Sequence, residues 1–390
     1  MDEAISGSQG SQALAGKKEV RWTVAEKKIR FLRMRKNYAE FSTKISPAVE
    51  RAVEERRAPS TVILDVFPKE SITIGYFEDP EKCLDLDFCR EAGIEVARRR
   101  NTGGAILGGK DSAFMVLSVD TREDWVPTKT LHQGFELGLT SMARAIRDIF
   151  GITALWRPLN DVEVEGRKVV ASSARLENDV LTLRCVVNVA PPDRRILERA
   201  LRVPPEKMKD KKAKSPSERV TSLEEELGRE VREEEIVDLV KRTVKEIFRE
   251  DLLSEELEMT PLEREYVGEF EKMFCSRDWF WGRSQRERTK VVPRGAKCVE
   301  GLHKAQAGLL RTTLWIEAGR IVEVLITGDF HAKPLSVIER MERILVGREA
   351  RIDAILDGVR AVMESPEVEL PGLSEEDFFS SFSKALASIH

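Results

Sequence analysis

The chain has 390 residues, 41% of them hydrophobic and 34% charged, with a formal net charge of −4. That length is comfortable for two domains with real cores, while so small a net charge gives no electrostatic basis for general nucleic-acid binding, and no apolar run approaches a membrane span. The five cysteines form no CxxC pair and the four histidines no HExxH, so a disulfide framework, a zinc ribbon and a zincin-type metalloenzyme are all poor readings. A reducing cytoplasm is the natural setting.

The first 18 residues, MDEAISGSQGSQALAGKK, are small and polar and read as a disordered tail, not a signal peptide. Residues 25–58 are dense in Lys, Arg and Glu with spaced apolar positions, which predicts helix for most of the stretch, interrupted or reopened at Pro47. STVILDVF (60–67) and SITIGYF (71–77) read as strands. DLDFCREAG reads as a short helix ended by Gly93, IEVARR as a strand and SAFMVLSV as another. PTKTLHQGFELGLTSMARAIRDIFGI is a long amphipathic helix closed by Gly151. The alternation from Asn160 to Val189, with turn chemistry at Glu165-Gly166 and Asn178-Asp179, predicts two hairpins. Residues 205–220 are rich in Lys, Pro and Ser and read as a mobile basic loop. A charged helix (about 230–248), a linker near 251–261, a hairpin within LLRTTLWIEAGRIVEVLITG and two helices (334–345 and 350–362) complete the chain.

Two stretches carry chemistry. In VARRRNTGGAILGG, glycines let the backbone approach a ligand with its N–H groups inward, and arginines supply forked donors for carboxylate or phosphate. The pattern is neither a Walker loop nor GxGxxG, and a solvated turn has the same composition. In NDVEVEGRKVVASSAR, Lys168 follows a hairpin turn and precedes small residues that leave room for a ligand. A lysine fixed there could hold an acid's carboxylate against an α-phosphate, and an exposed strand lysine is the plainer alternative. CSRDWFWGR (275–283) reads as aromatic packing at a domain edge.

The order and spacing of these stretches resemble the lipoate–protein ligase A family of the biotin/lipoate protein ligase superfamily. The matching segments are GYFEDP (Gly75 to Pro80), RRNTGG (Arg99 to Gly104), ND…GRK…ASSAR (Asn160 to Arg175), a lysine-rich loop ending ERVTSL, and GDF (Gly328 to Phe330). The resemblance covers roughly residues 40–365 and implies an α/β (α+β) fold: a mixed β-sheet catalytic core of the class II tRNA synthetase/biotin ligase type over 19–252. A small α+β accessory domain follows over 262–390. It implies ATP, Mg2+ and lipoate (or a related medium-chain acid) as small molecules. The implied protein partners are lipoyl-carrier domains of the 2-oxoacid dehydrogenase E2 or glycine cleavage H-protein type, with no nucleic acid and no membrane. Carried over by motif, Lys168 is the catalytic lysine. Gly75, Arg99, Arg100, Thr102, Gly103 and Gly104 line the acyl and phosphate pocket. Asn160 and Asp161 hold nucleotide or metal, and Ser173 lies in the small-residue run. Arg219, Val220 and Thr221 close over the adenylate. Where the family carries HDxGN the sequence reads GGKDS, its HHG is absent, and its Gln-Asn turn pair is Glu78-Asp79. Two other readings stay open. One is an ATP-independent octanoyl or lipoyl transferase, although LRVPPEKM has no cysteine at the transferase position and Cys185 lies earlier, within a strand. The other is a non-catalytic binding protein of the same fold.

Overall fold

The computed structural model describes residues 27–158, 160–205, 217–256 and 258–388. The tail 1–18 and residues 206–216 of the basic loop lie outside them. In chain order the strands are β1 (Ile29–Met34), β2 (Thr61–Val66), β3 (Ser71–Ile74), β4 (Glu95–Arg98), β5 (Ile106–Gly108), β6 (Ala113–Asp120), β7 (Leu155–Arg157), β8 (Asp161–Val164), β9 (Arg167–Glu177), β10 (Val180–Val187), β11 (Leu253–Glu256), β12 (Lys297–Ala305), β13 (Gly308–Glu317) and β14 (Arg320–Gly328). They form an eight-stranded sheet in the order β11-β1-β2-β6-β10-β9-β8-β7 and two three-stranded sheets, β4-β3-β5 and β12-β13-β14. The large sheet is mixed, because β11, β1 and β2 run parallel while the rest pair antiparallel. The expected α+β architecture is what the chain adopts.

Both faces of the large sheet are buried, so successive residues of its central strands serve different cores. Val62, Leu64, Met115 and Leu117 face the helices Leu131–Phe150 and Glu233–Phe248. Ile63, Phe114 and Val116 face Tyr38, Phe41 and Val49 on the opposite side. The long helix starts at a Thr130/Gln133 capping box and ends at Gly151 with φ 71°.

Two expectations fail. The helix expected from residue 25 begins only at Tyr38, and Ile29–Met34 is a strand. Its alternate residues Ile29 and Phe31 enter one core and Leu32 the other, so burial on both faces overrides the helix-favouring charge around it. Pro47 lies in the first turn of the helical segment Ser46–Glu54, preceded by a π-helical stretch at Phe41–Ile45. The linker expected near 251–261 contains β11, which pairs with β1.

The helix Pro261–Phe274 packs against the segment Ser46–Glu54. Its Glu263 accepts two bonds from Arg30, one of them 3.1 Å long, and both side chains are fully buried. Removing the acid leaves a guanidinium out of water with Thr61 as a neutral partner and Glu256, 3.7 Å away, as the remaining carboxylate among the described residues. Glu263→Ala is therefore expected to destabilise the protein by about 3–5 kcal/mol, read from the urea-denaturation midpoint. A cost within experimental error would show that the pair contributes nothing to stability.

Candidate functional site

The site is built around one close backbone approach. A Cβ on Gly75, in the turn after β3, would lie 1.7 Å from the carbonyl oxygen of Gly103. Gly103 itself has φ 89°, a left-handed value that costs other residues strain. The three arginines of the loop do separate jobs. Arg98 is fully buried and donates to the carbonyls of Gly75, Tyr76, Glu78 and Phe280. Burial lowers its guanidinium to about 10. Arg99 donates to Thr73 and, at 2.8 Å each, to the carbonyls of Thr102 and Gly104. Arg100 points the other way, 3.7 Å from Glu54 and 3.8 Å from Glu177.

Across from the loop, the β8–β9 hairpin sets Lys168 Nζ 2.7 Å from Asp161 Oδ1. The pair is held from beneath. Asn160 donates to the Ser172 carbonyl at 3.1 Å, and the Ser172 hydroxyl donates back to the Asn160 carbonyl at 2.7 Å. The ERVTSL segment lies alongside. Val220 bridges Lys168, and the Thr221 N–H donates to the Lys168 carbonyl at 2.9 Å. The Thr221 hydroxyl and Arg167 both bind Glu226. Burial lowers the Arg219 guanidinium, which has Asp161, Glu163 and Asp329 for anionic neighbours.

A cleft of ≈ 290 Å³ lies between these elements. Of the residues singled out from sequence, Gly104, Asn160, Asp161, Lys168, Arg219 and Val220 line it. Gly75, Arg99, Thr102 and Gly103 lie under or behind the loop that forms one wall, and Thr221 backs the strand. Arg100 faces away, and Ser173 is buried opposite Arg184 on β10, so Ser172 takes its expected place in the wall. Lys110 and Asp111 of the GGKDS stretch are exposed, 3.8 Å apart. Two larger depressions, ≈ 600 and ≈ 510 Å³, lie at Tyr76, Glu177 and Leu335. They are more open and lack the Lys168–Asp161 pair, so the smaller cleft is the functional candidate.

Sequence reasoning missed the opposite wall. Lys304, Gly308 and Asp329 of the β12–β14 unit line the same cleft. His331, just beyond β14, lies with its Nδ1 2.7 Å from Thr102 Oγ1. No local pattern marks Lys304. The His after GDF, one of only four in the chain, was the available signal.

A mixed-sheet α+β protein with a glycine loop facing a strand lysine across an enclosed cleft belongs to a narrow class. Residues 44–245, more than half of the chain, match the lipoyl protein ligase A/B catalytic domain, and the chain belongs to the lipoate–protein ligase family. Lipoate-protein ligase A subunit 1 of Thermoplasma acidophilum is 29% identical over 237 residues, covering 56% of this chain and 83% of that protein. Subunit 2 from the same organism is 36% identical over 78 residues, 20% of this chain and 80% of that protein. Among solved structures, P. falciparum LipL1 in complex with lipoate superposes with a TM-score of 0.65 at 15% identity, covering 93% of this chain and 99% of that one. A lipoate-protein ligase A bound with ATP gives 0.55 at 19% identity over 65% of this chain and 99% of its own. These structural likenesses show the shared fold.

Burial, and then the neighbouring Arg99, lower the His331 imidazole to about 4, against the pull of Asp329 and Asp161. Its folded value lies below the unfolded value of about 6.5, so the unfolded chain binds the extra proton. The stability this neutral histidine supports is complete above about pH 6.5 and is lost as pH falls toward 4. The advantage in Tm of wild type over His331→Phe should therefore shrink between pH 7 and pH 4.5 in scanning calorimetry. A constant difference would contradict the depressed value.

Proposed function

We propose that this chain attaches lipoate, or a related medium-chain acid, to a lysine of a carrier-protein domain in two steps. In the first, a carboxylate oxygen of the acid attacks the α-phosphorus of ATP and the bond to pyrophosphate breaks. In the second, the carrier's lysine amine attacks the acyl carbon of the adenylate, loses a proton and displaces AMP. The observation that carries this reading is the Lys168–Asp161 pair, 2.7 Å apart, at the wall of a cleft whose far side presents Gly104. Lys168 is placed to hold the carboxylate against the α-phosphate and to stabilise charge there. Asp161 orients Lys168, and Arg219 adds a second cation.

The relatives support the substrates. One structure is described with lipoate, another with ATP, and a third presents the bi-partite Thermoplasma ligase with its E2 lipoyl domain. On this reading the unit of the large sheet, which extends through β11, carries the chemistry, and the β12–β14 unit is an accessory that forms one wall of the cleft. The acceptor is a lipoyl domain of the 2-oxoacid dehydrogenase E2 or glycine cleavage H-protein type.

Mg2+ fits as an ion carried in with the phosphates. Among the described residues no group of three or more His, Cys, Asp or Glu could cage a metal. The Asp161 carboxylate beside Asn160 is an oxygen donor set of the sparse kind that Mg2+ uses with substrate phosphates. When bound, the ion neutralises phosphate charge.

Transfer from a thioester through Cys185 has little support. That thiol is fully buried, and burial pushes it up to about 12, where it holds almost no thiolate. No helix among the described residues is long and apolar enough to cross a membrane.

Lys168→Ala should lose acid-dependent pyrophosphate release by roughly 100- to 1,000-fold, the scale of losing one preorganised charge contact. Cys185→Ser should keep most activity. Acylation of a lipoyl domain should need ATP and free acid. Robust transfer from an acyl-carrier thioester without ATP would overturn the reading.

A further inference from the structure

The end of β14 makes three contacts with the glycine loop. The Gly103 N–H donates to the Phe330 carbonyl at 3.2 Å. A Cβ on Gly104 would lie 3.0 Å from that of Asp329. The third contact is between side chains, Thr102 to His331, at 2.7 Å. The His331 ring is buried, and its edge meets Phe135 with centroids 4.8 Å apart.

The proton arrangement follows from the network. The Thr102 hydroxyl reaches the Ala174 carbonyl at 3.3 Å and donates there. Nδ1–H of His331 then donates to Thr102 Oγ1, and Nε2 carries the lone pair. Nε2 has no hydrogen-bond partner among the described residues. Nε2 and Arg99 Nη2 both border the space above Gly103, 3.6 and 3.4 Å from a Cβ placed there, and the Arg99 charge disfavours a protonated ring. A lone pair beside a guanidinium is favourable, whereas an N–H there would set donor against donor.

The chain of bonds therefore runs from His331 through Thr102 to Ala174. Ala174 is on β9, the strand that presents Lys168. Arg99 fixes the loop from below through the Thr102 and Gly104 carbonyls, but it does not set the loop's spacing from β9. Thr102 does, and His331 holds the hydroxyl that makes the link.

We propose that His331 is a positioning residue for acid activation. Through Thr102 it fixes the spacing between the glycine loop and β9, and so between Gly104 and Lys168 across the cleft. This rests on the adenylate-forming reading above. It concerns the first half-reaction alone, because transfer from a finished adenylate no longer needs acid and α-phosphate aligned.

The test uses the full chain, with lipoate and ATP for pyrophosphate release, and separately synthetic lipoyl-adenylate with a lipoyl domain for transfer. His331→Phe keeps a ring against Phe135 and removes the donor. Thr102→Val removes the acceptor and leaves the imidazole in place. Each is expected to lower kcat for pyrophosphate release roughly 10- to 100-fold, the scale of a small misplacement. KM for ATP should change little, and transfer from supplied adenylate should stay near wild type. The double variant should be no slower than either single one. His331→Asn, whose amide can put a donor where Nδ1 lies, should recover most of the rate.

Multiplying losses in the double variant, equal losses in both half-reactions, or no recovery with Asn would each overturn the proposal. Should His331→Phe not fold, Thr102→Val and His331→Asn still decide it. If wild type releases no pyrophosphate with any acid, the adenylate-forming reading fails and the proposed role in acid activation falls with it. The mechanical tie would then be read apart from activity, by hydrogen exchange at amides 102–104. Equal acceleration in the Phe and Val variants would show that the His331–Thr102 link exists without that role. Unchanged exchange would remove the link as well.

Discussion

Arg99 is the fixed point of the molecule. Its guanidinium is fully buried and, among the described residues, finds only neutral oxygens of Thr73, Thr102 and Gly104 as partners. A cation in that setting is costly unless its donors are used, and the fork geometry uses both terminal nitrogens to bind β3 and the glycine loop together. The turn after β3 can then press against Gly103, which only a glycine at position 75 allows. The loop's shape, the wall of the cleft and the docking ledge for the β12–β14 unit all follow from that clamp. A lysine at 99 would keep the charge and lose the two-sided grip.

The smaller unit docks on this ledge through apolar contact. Phe77, from the GYFEDP turn, belongs to the core that the helices and strands after residue 297 build, and it stacks on Phe330 at 5.0 Å. Arg283, held by Glu342 and the Ile326 carbonyl, sets its guanidinium 5.3 Å from the Phe77 ring centroid. The helix Pro261–Phe274 meanwhile packs back on the large unit. The cleft is thus assembled by tertiary contact between distant parts of the chain, which explains how a site with a recognisable motif on one wall can have an unmarked second wall.

Legibility from sequence followed how local each signal was. The hairpins of β8, β9 and β10 were plain because most of their length alternates and their turns, with positive φ at Glu165, Gly166, Asn178 and Asp179, carry turn residues, although the β8–β9 register shifts at Val162/Glu163. Strand β1 was hidden by the charged residues around it, and β11, with the sequence LSEE, has no strand preference of its own. Its place comes from pairing with β1. The Lys168 and ERVTSL motifs are far apart in sequence and meet only in the fold, where Val220 bridges Lys168 and the Thr221 N–H donates to its carbonyl. The finer placements depended on tertiary contacts. Ser172 and Ser173 are equally small, and the fold alone separates them: Ser172 lines the cleft and bonds the Asn160 carbonyl, while Ser173 is buried opposite Arg184. Lys304 and His331 depend on a docking geometry that no short stretch encodes.

The neighbouring arginines of the loop serve different parts of the scaffold. Arg99 binds β3 and the glycine loop, whereas Arg100 turns toward a cluster where Arg175 pairs with Glu50, Glu54 and Glu177. The guanidiniums of Arg100 and Arg175 offset the three carboxylates, which drops the charge left in low dielectric to a level a folded protein tolerates. Burial opposes ionisation of Glu50, yet the arginines Arg175, Arg100 and Arg184 hold its carboxyl below the ordinary range. That network joins the helical segment Ser46–Glu54 to the far end of β9. The strand is therefore gripped by charge at Arg175 and by the Val220 bridge at Lys168. A lysine meant to hold two reacting groups in line gains most from a strand that cannot slide, and β9 is restrained at both ends.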